Sequence, residues 1–309
     1  MREFLVSVSR GGVRCLRGKP GVWLLALAMI AASPSRAAES PIDRSESLRL
    51  VGDGFGLPDG PAWSSQGWLV VGDVKRKTVH RYTPENSHWE QVPGLPERYS
   101  GFFATDDKLF AANNSEGRID CFGGDLGEDV VRVSSVPLPL GADGKPARPN
   151  DIAVDRVGGV YVTITNRDEV LYVNPRGDVR VATTAVPSPN GLILSPDQRM
   201  LYVANYRGKT IERLPVVSPG KLGQSQRFAA MDDGEALGAD GMTVDREGNV
   251  YCAGATAVWV WNEQGRLLDQ FECPTRPINA TFGGPGRRSL FVTCFDGVYA
   301  QPMRVAGCE

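Results

Sequence analysis

The chain has 309 residues, 34 Lys+Arg against 36 Asp+Glu, and 41% apolar residues, which is too apolar for a disordered or low-complexity protein and enough for a sizeable core. Its 36 Gly and 22 Pro approach a fifth of all residues, a density that breaks long helices and favours many turns. Only two histidines, His80 and His88, are available, too few for a His-rich zinc site and poor material for a Ser-His-Asp triad, so chemistry falls to carboxylates and amides.

The first segment reads as an address. Arg2, Arg10, Arg14, Arg17 and Lys19 precede the apolar run Gly21 to Ala32, and Ser35 and Ala37 satisfy the small-x-small cleavage rule, so residues 1–37 are expected to be a signal peptide. Twelve apolar residues fall short of a bilayer span, although an uncleaved anchor is the alternative. Cleavage after Ala37 removes six basic residues and one acidic residue, leaving 28 against 35 and a net charge of −7. The expected product is exported, periplasmic or extracellular, without a stable membrane span and without affinity for nucleic acid. Five cysteines remain, Cys121, Cys252, Cys273, Cys294 and Cys308, with no C-x-x-C. Cys252 and Cys294 sit in apolar β runs and read as small buried hydrophobes, whereas Cys273 and Cys308 fall in turn or tail sequence, where one bridge of unreadable pairing could form.

Residues 38–309 carry one motif six times. In chain order the copies read PDGPAWSSQGWLVVGD from Pro58, SGFFATDDKLFAANN from Ser100, PNDIAVDRVGGVYVTIT from Pro149, PNGLILSPDQRMLYVAN from Pro189, ADGMTVDREGNVYCAGA from Ala239 and PINATFGGPGRRSLFVTC from Pro277. Each is a turn pair, a short alternating strand, a polar turn and a β-rich run, which is a hairpin. Several continue into two more strand-like runs, as in KTVHRYT and AVWVWNEQGRLLDQF, so a unit holds about four strands. Four strands in roughly 45 residues is the period of a propeller blade, and the expected fold is an all-β, six-bladed β-propeller in a single domain spanning 38–309.

Repetition converts sequence position into geometry, because equivalent residues are related by rotation about the channel axis. The residue opening each inner strand is Asp59, Asn150, Asn190 and Asp240 in repeats one, three, four and five, and Ser100 and Ile278 in repeats two and six. Two carboxylates and two amides, with no thiolate or imidazole, form a hard-cation set suited first to Ca²⁺ and then to Mg²⁺, Mn²⁺ or Zn²⁺, at the top of the central channel. Asp155, Asp197 and Asp245 fall in the polar turn that follows and read as turn-forming Asx residues.

The segments ARPNDIAVD, PNGLILSPD, GADGMTVD and INATFGGPG resemble the regucalcin and gluconolactonase family, also called the senescence marker protein 30 family, over nearly all of residues 38–309. The resemblance implies metal ligation by Asp59, Asn190 and Asp240, with Asn150 nearer the substrate and contributing directly or through water. It also implies a catalytic Asp240 and a substrate-facing Arg148. The family's first-blade acid is usually Glu, and Asp59 is one methylene shorter. A Phe-Thr-Asp-Pro motif common in bacterial gluconolactonases is replaced by Val162-Thr163-Ile164-Thr165, and Ser100-Gly101 stands where Asn-Gly is more usual.

The expected activity is metal-dependent hydrolysis of a small-molecule lactone or related ester by activated water, which fits a chain without G-x-S-x-G. The alternative is a non-catalytic calcium-binding propeller acting as a binding or scaffold module. A strictosidine-synthase-like propeller matches the P-N-G and A-D-G segments less well. The sequence names neither the substrate nor the oligomeric state. Gly52-x-Gly54-x-Gly56 lacks a strand-to-helix context and reads as an entry loop. Trp63, Trp68, Trp259 and Trp261 read as packing residues, and Asn113-x-Ser115 and Asn279-x-Thr281 are sequons only in a eukaryotic host.

Overall fold

The structure is a computed structural model that describes residues 39–123, 130–232, 234 and 236–308; the expected signal segment lies outside them. The described strands form six antiparallel sheets, each led by one of the six repeat strands: Pro58–Trp63, Tyr99–Ala104, Pro149–Val154, Pro189–Leu194, Met242–Val244 and Pro277–Gly283. This is the six-bladed propeller. Among the described residues the one helical element is the short 3₁₀ turn Pro285–Arg287, and no helix is long and apolar enough to cross a membrane.

Two departures from a simple repeat have clear causes. Blade 6 takes its outermost strand, Arg49–Asp53, from the N-terminal side of the chain, paired antiparallel with Gly297–Pro302, so the ring is closed by hydrogen bonds between its two ends. Blade 4 has five strands where four are expected. Its third strand, Thr210–Ser218, is nine residues long, and its inner half pairs with Gln226–Ala230 while its outer half pairs with Lys221–Leu222.

The core is divided among the seams between blades. A middle strand covered on both faces reads as a continuous apolar run, as in Val160–Ile164, every residue of which is buried, while the outer strand Val131–Pro137 is largely exposed. Each seam buries its own cluster. Trp68, Val70, Phe102 and Phe122 lie between blades 1 and 2, and Tyr202, Met231, Trp259 and Trp261 lie between blades 4 and 5. Trp63 stacks on Phe291 with centroids 5.6 Å apart across the seam between blades 1 and 6. Cys252 and Cys294 are buried as expected, and so is Cys121; Cys294 is hydrogen-bonded to Cys273 across blades 5 and 6, so Cys273 has Cys294, not the tail Cys308, as its thiol neighbour. The polar turns also behave as expected: Asp155 Oδ1 accepts from Val157 N and Gly159 N at 3.1 and 2.8 Å, Asp197 from Arg199 N, and Asp245 from Glu247 N and Asn249 N.

Where the six inner strands meet, backbone approaches backbone. The position after each rim residue is Gly60, Gly101, Asp151, Gly191, Gly241 and Asn279. A Cβ on Gly191 would stand 2.4 Å from Asp240 O, and one on Gly101 would stand 2.7 Å from Asn150 O. Four glycines therefore admit the two side chains of this layer, Asp151 and Asn279, which enter from opposite blades. The strand pairing shifts register at the same level in five blades, between Asp59 and Ala62, Tyr99 and Gly101, Pro149 and Ile152, Pro189 and Leu192, and Pro277 and Asn279. Such bulges re-aim side chains. Gly191→Ala is expected to lower stability by ~1–3 kcal/mol or more through overpacking against unyielding backbone. Val217→Ala, at an exposed edge position, should stay within ~0.5 kcal/mol of the parent. Thermal or urea denaturation of the two variants checks the difference.

Candidate functional site

The rim residues emerge from these bulged strand starts. In blade 5 the inner strand begins only at Met242, and the rim is held by Asp240 N donating to Ala253 O at 2.8 Å and Ala253 N to Gly241 O at 3.0 Å. Ala239, just before it, has φ of +59°, a left-handed conformation that costs a non-glycine residue about 1 kcal/mol or more and fixes the direction in which Asp240 leaves the backbone.

Asp59, Asp240 and Asn190 come together. Asn190 hydrogen-bonds the Asp240 carboxylate, and Asp59 is close enough to repel it. Asp59 Oδ1 also accepts from Gly60 N at 2.7 Å. The sequence reading missed two partners in this group. Asp151 is buried beneath the rim, its Oδ1 accepting from Ile152 N at 2.9 Å, and Asn279 hydrogen-bonds both Asp59 and Asp151. The signal was present in the repeat alignment, where Asp151 and Asn279 break a ring of four glycines.

Ser100 and Ile278 contribute no ligand. Ser100 Oγ donates to Pro149 O and Asn150 O at 3.0 and 2.8 Å, tying blade 2 to blade 3, and Ile278 is buried. Asn150 is half-buried at the rim. Arg148 is exposed, its backbone N donating to Asn166 Oδ1 at 3.0 Å.

The electrostatics of this group follow from enclosure. Burial pushes the Asp59 carboxyl up to about 7, against the opposing pull of Gly60, Asn279 and Arg98. Burial and then the charge of Asp59 push Asp151 up to about 8. Asp240 is raised well above the ordinary carboxylate range by burial and by Asp59, against the opposing pull of Arg276, whose Nη2 lies 3.5 Å from Asp240 Oδ2. Asp59 and Asp240 keep a sliver of exposure to the channel, so they are enclosed by protein yet reachable from the rim.

Among the described residues no three His, Cys, Asp or Glu side chains gather into a cation cage on their own. The donor set nonetheless fits a divalent cation that takes amide oxygens for part of its shell: two rim carboxylates, two rim asparagines, and an excess of buried negative charge that one arginine does not balance. Below the ring runs a cavity that shares Asp151 with the cluster and is otherwise lined mainly by apolar groups such as Trp63, Phe102, Leu192, Met242 and Phe282. At its far end Arg287 Nη1 donates to Cys308 O at 3.1 Å.

The SMP-30/Gluconolactonase/LRE-like region model matches residues 57–296, and the chain belongs to that family. It is 25% identical over 305 residues to a gluconolactonase of Zymomonas mobilis, covering 86% of this chain and 84% of that protein. Its fold matches a gluconolactonase from Xanthomonas campestris with a TM-score of 0.71 at 24% identity, covering 83% of this chain and 89% of that one. It also matches a calcium-binding protein, regucalcin, from Agrobacterium tumefaciens, with a TM-score of 0.70 at 18% identity and coverage of 84% and 95%.

Stability should record the crowded charge. Asp59 and Asp151 have folded values of about 7 and about 8 against an ordinary 3.8, so the stability they allow is fully present below about pH 4 and is lost as pH rises through 7 and 8. The chelator-treated protein is expected to melt at progressively lower temperature from pH 5 to pH 8. Asp151→Asn, which removes one repelling charge at nearly constant shape, should flatten that slope and raise the melting temperature at pH 8; a pH series of thermal melts reads both.

Proposed function

We propose that the protein is an exported, metal-dependent hydrolase that opens a lactone or related carboxylic ester. The observation that carries the reading is the convergence of Asp59, Asn190 and Asp240 at one rim, with buried carboxylates raised by enclosure and mutual repulsion, in a chain similar along most of its length to a gluconolactonase. Asp59, Asn190 and Asp240 would hold the cation, with Asn150 as a further oxygen donor, and Ca²⁺ is the ion best matched to them. When bound, a divalent cation supplies Lewis-acid polarisation of the ester carbonyl and acidifies a water.

The chain's own groups do the rest. Asp240, part-exposed at the rim, accepts the proton of the attacking water as general base. Asn150 and Arg148, on the adjoining stretch of rim, orient the substrate's oxygens. Entry is from the rim, where Asp59 and Asp240 stay part-exposed. The calcium-binding regucalcin supports a second reading, a propeller that binds the cation without hydrolysing anything; the presence of a rim carboxylate able to take a proton favours the enzyme.

A panel of lactones and aryl esters, assayed with and without chelator and after adding back Ca²⁺, Zn²⁺, Mg²⁺ or Mn²⁺, tests the proposal. Asp240→Asn keeps the volume and an oxygen donor but not the proton acceptor, and turnover should fall by about 10²-fold or more. Asp59→Ala should lose most of the rise in melting temperature produced by the cation, while Asp59→Glu keeps it. Equal cation-induced shifts in the parent and both variants would remove Asp59 from the site.

A further inference from the structure

Two residues before each rim position the repeats hold Leu57, Arg98, Arg148, Ser188, Gly238 and Arg276. Arginine thus occurs at one rotationally equivalent position in blades 2, 3 and 6. Blades 2 and 6 are the ones whose rim residues, Ser100 and Ile278, offer the ring no oxygen. Each therefore replaces a ligand with a cation source at the mouth.

Arg276 is the most constrained of the three. Its guanidinium carbon lies 5.2 Å from the Tyr206 ring centroid and 5.8 Å from that of Phe295, so the group packs against two aromatic rings. Nη2 donates to Tyr206 Oη at 2.8 Å and stands 3.5 Å from Asp240 Oδ2. Its Nε is buried with no hydrogen-bond partner, so one donor of the fork is unspent. Phe295, the second ring against the guanidinium, is 52% exposed. Arg98 is exposed on the other side of blade 1 and is near enough to pull on the charge of Asp59. Among the described residues neither Arg98 nor Arg148 has a side-chain hydrogen bond or ion pair.

We infer that the channel mouth is an anion-recognition site centred on Arg276 with Arg98 and Arg148, and that the substrate is a lactone or ester carrying a second, anionic group, a carboxylate or a phosphate. The inference rests on the hydrolase reading above for the reaction, but not for the anion site. With a dication on the ring, the three enclosed aspartates are offset to one net negative charge, and the three arginines turn the sum over these groups to two net positive charges. The whole chain carries −2, so this is a local feature. A planar fork packed against aromatic rings loses little freedom on pairing with a planar carboxylate or a phosphate face. The arginine anchors the anionic end while the ester carbonyl reaches the ring, which makes Arg276 a specificity residue and not a proton carrier.

The test compares γ-carboxy-γ-butyrolactone with its methyl ester and with the γ-phosphooxymethyl analogue, using the cation-loaded full chain. The expected result is a kcat/KM for at least one anionic lactone about 10- to 100-fold above that for the methyl ester, the scale of one charge-assisted pair. The larger ratio identifies carboxylate or phosphate as the group. Arg276→Gln and, separately, Arg98→Gln should lower the anionic-to-neutral ratio, mainly through KM, and Arg276→Lys should restore part of it. A ratio near one in the parent, or one unchanged in both glutamine variants, overturns the proposal and leaves Arg276 as a counter-ion of Asp240. If the parent hydrolyses none of the three, the hydrolase reading fails on its own. Calorimetric titration with sodium succinate then decides the anion site: binding that is lost in Arg276→Gln upholds it, and no binding to the parent rejects it.

Discussion

Six inner strands share one narrow axis, and the closeness of their backbones governs what the molecule can place there. At Gly60, Gly101, Gly191 and Gly241 any Cβ would stand under 3 Å from atoms of a neighbouring blade. The layer has room for two side chains only, Asp151 and Asn279. Directly above it the bulged start of Pro58–Trp63 and the backbone bonds that tie Asp240 and Gly241 to Ala253 bring Asp59 and Asp240 to the same axis. Packing, and not a dedicated loop, brings three carboxylates into one enclosed space.

That arrangement has an electrostatic consequence. Two unit charges 4 Å apart repel by about 4 kcal/mol at an effective dielectric of about 20, and burial adds a penalty for each ion. Asn279 and Asn190 supply hydrogen bonds to the carboxylates, and Arg276 supplies one opposing charge, yet Asp59, Asp151 and Asp240 all remain raised. A propeller can tolerate such a centre because its stability is spread over six inter-blade clusters and a ring closed by the pairing of Arg49–Asp53 with Gly297–Pro302. The crowded rim and the apolar seams are separate parts of the structure.

Much of this could be read from the chain. The hairpin repeat fixed the blade number, and the equivalence of Asp59, Asn150, Asn190 and Asp240 located the rim, because rotation makes spacing into geometry. What escaped the reading were features that depend on the third dimension. Asp151 stands one residue past the rim position, and only the glycine contacts of its neighbours show that it occupies the axis. Asn279 looked like a sequon. The closing strand Arg49–Asp53 has no repeat partner in sequence, since it completes a blade some 250 residues away, as the pairing of Arg49 with Ala300 shows. Arg276 was invisible because its meaning comes from Tyr206 and Phe295, which lie in other turns.

The central claim is that the charge crowded at the axis is balanced either by protons or by a divalent cation. Calorimetric titration of Ca²⁺ into the chelator-treated protein at pH 6, repeated in buffers of different ionisation enthalpy, measures that exchange directly. The account predicts one cation bound per chain with net release of protons, fewer at pH 8.5 than at pH 6, since Asp59 and Asp151 with values of about 7 and about 8 are already largely ionised there. Binding with no proton release at pH 6, or no binding at all, would contradict it.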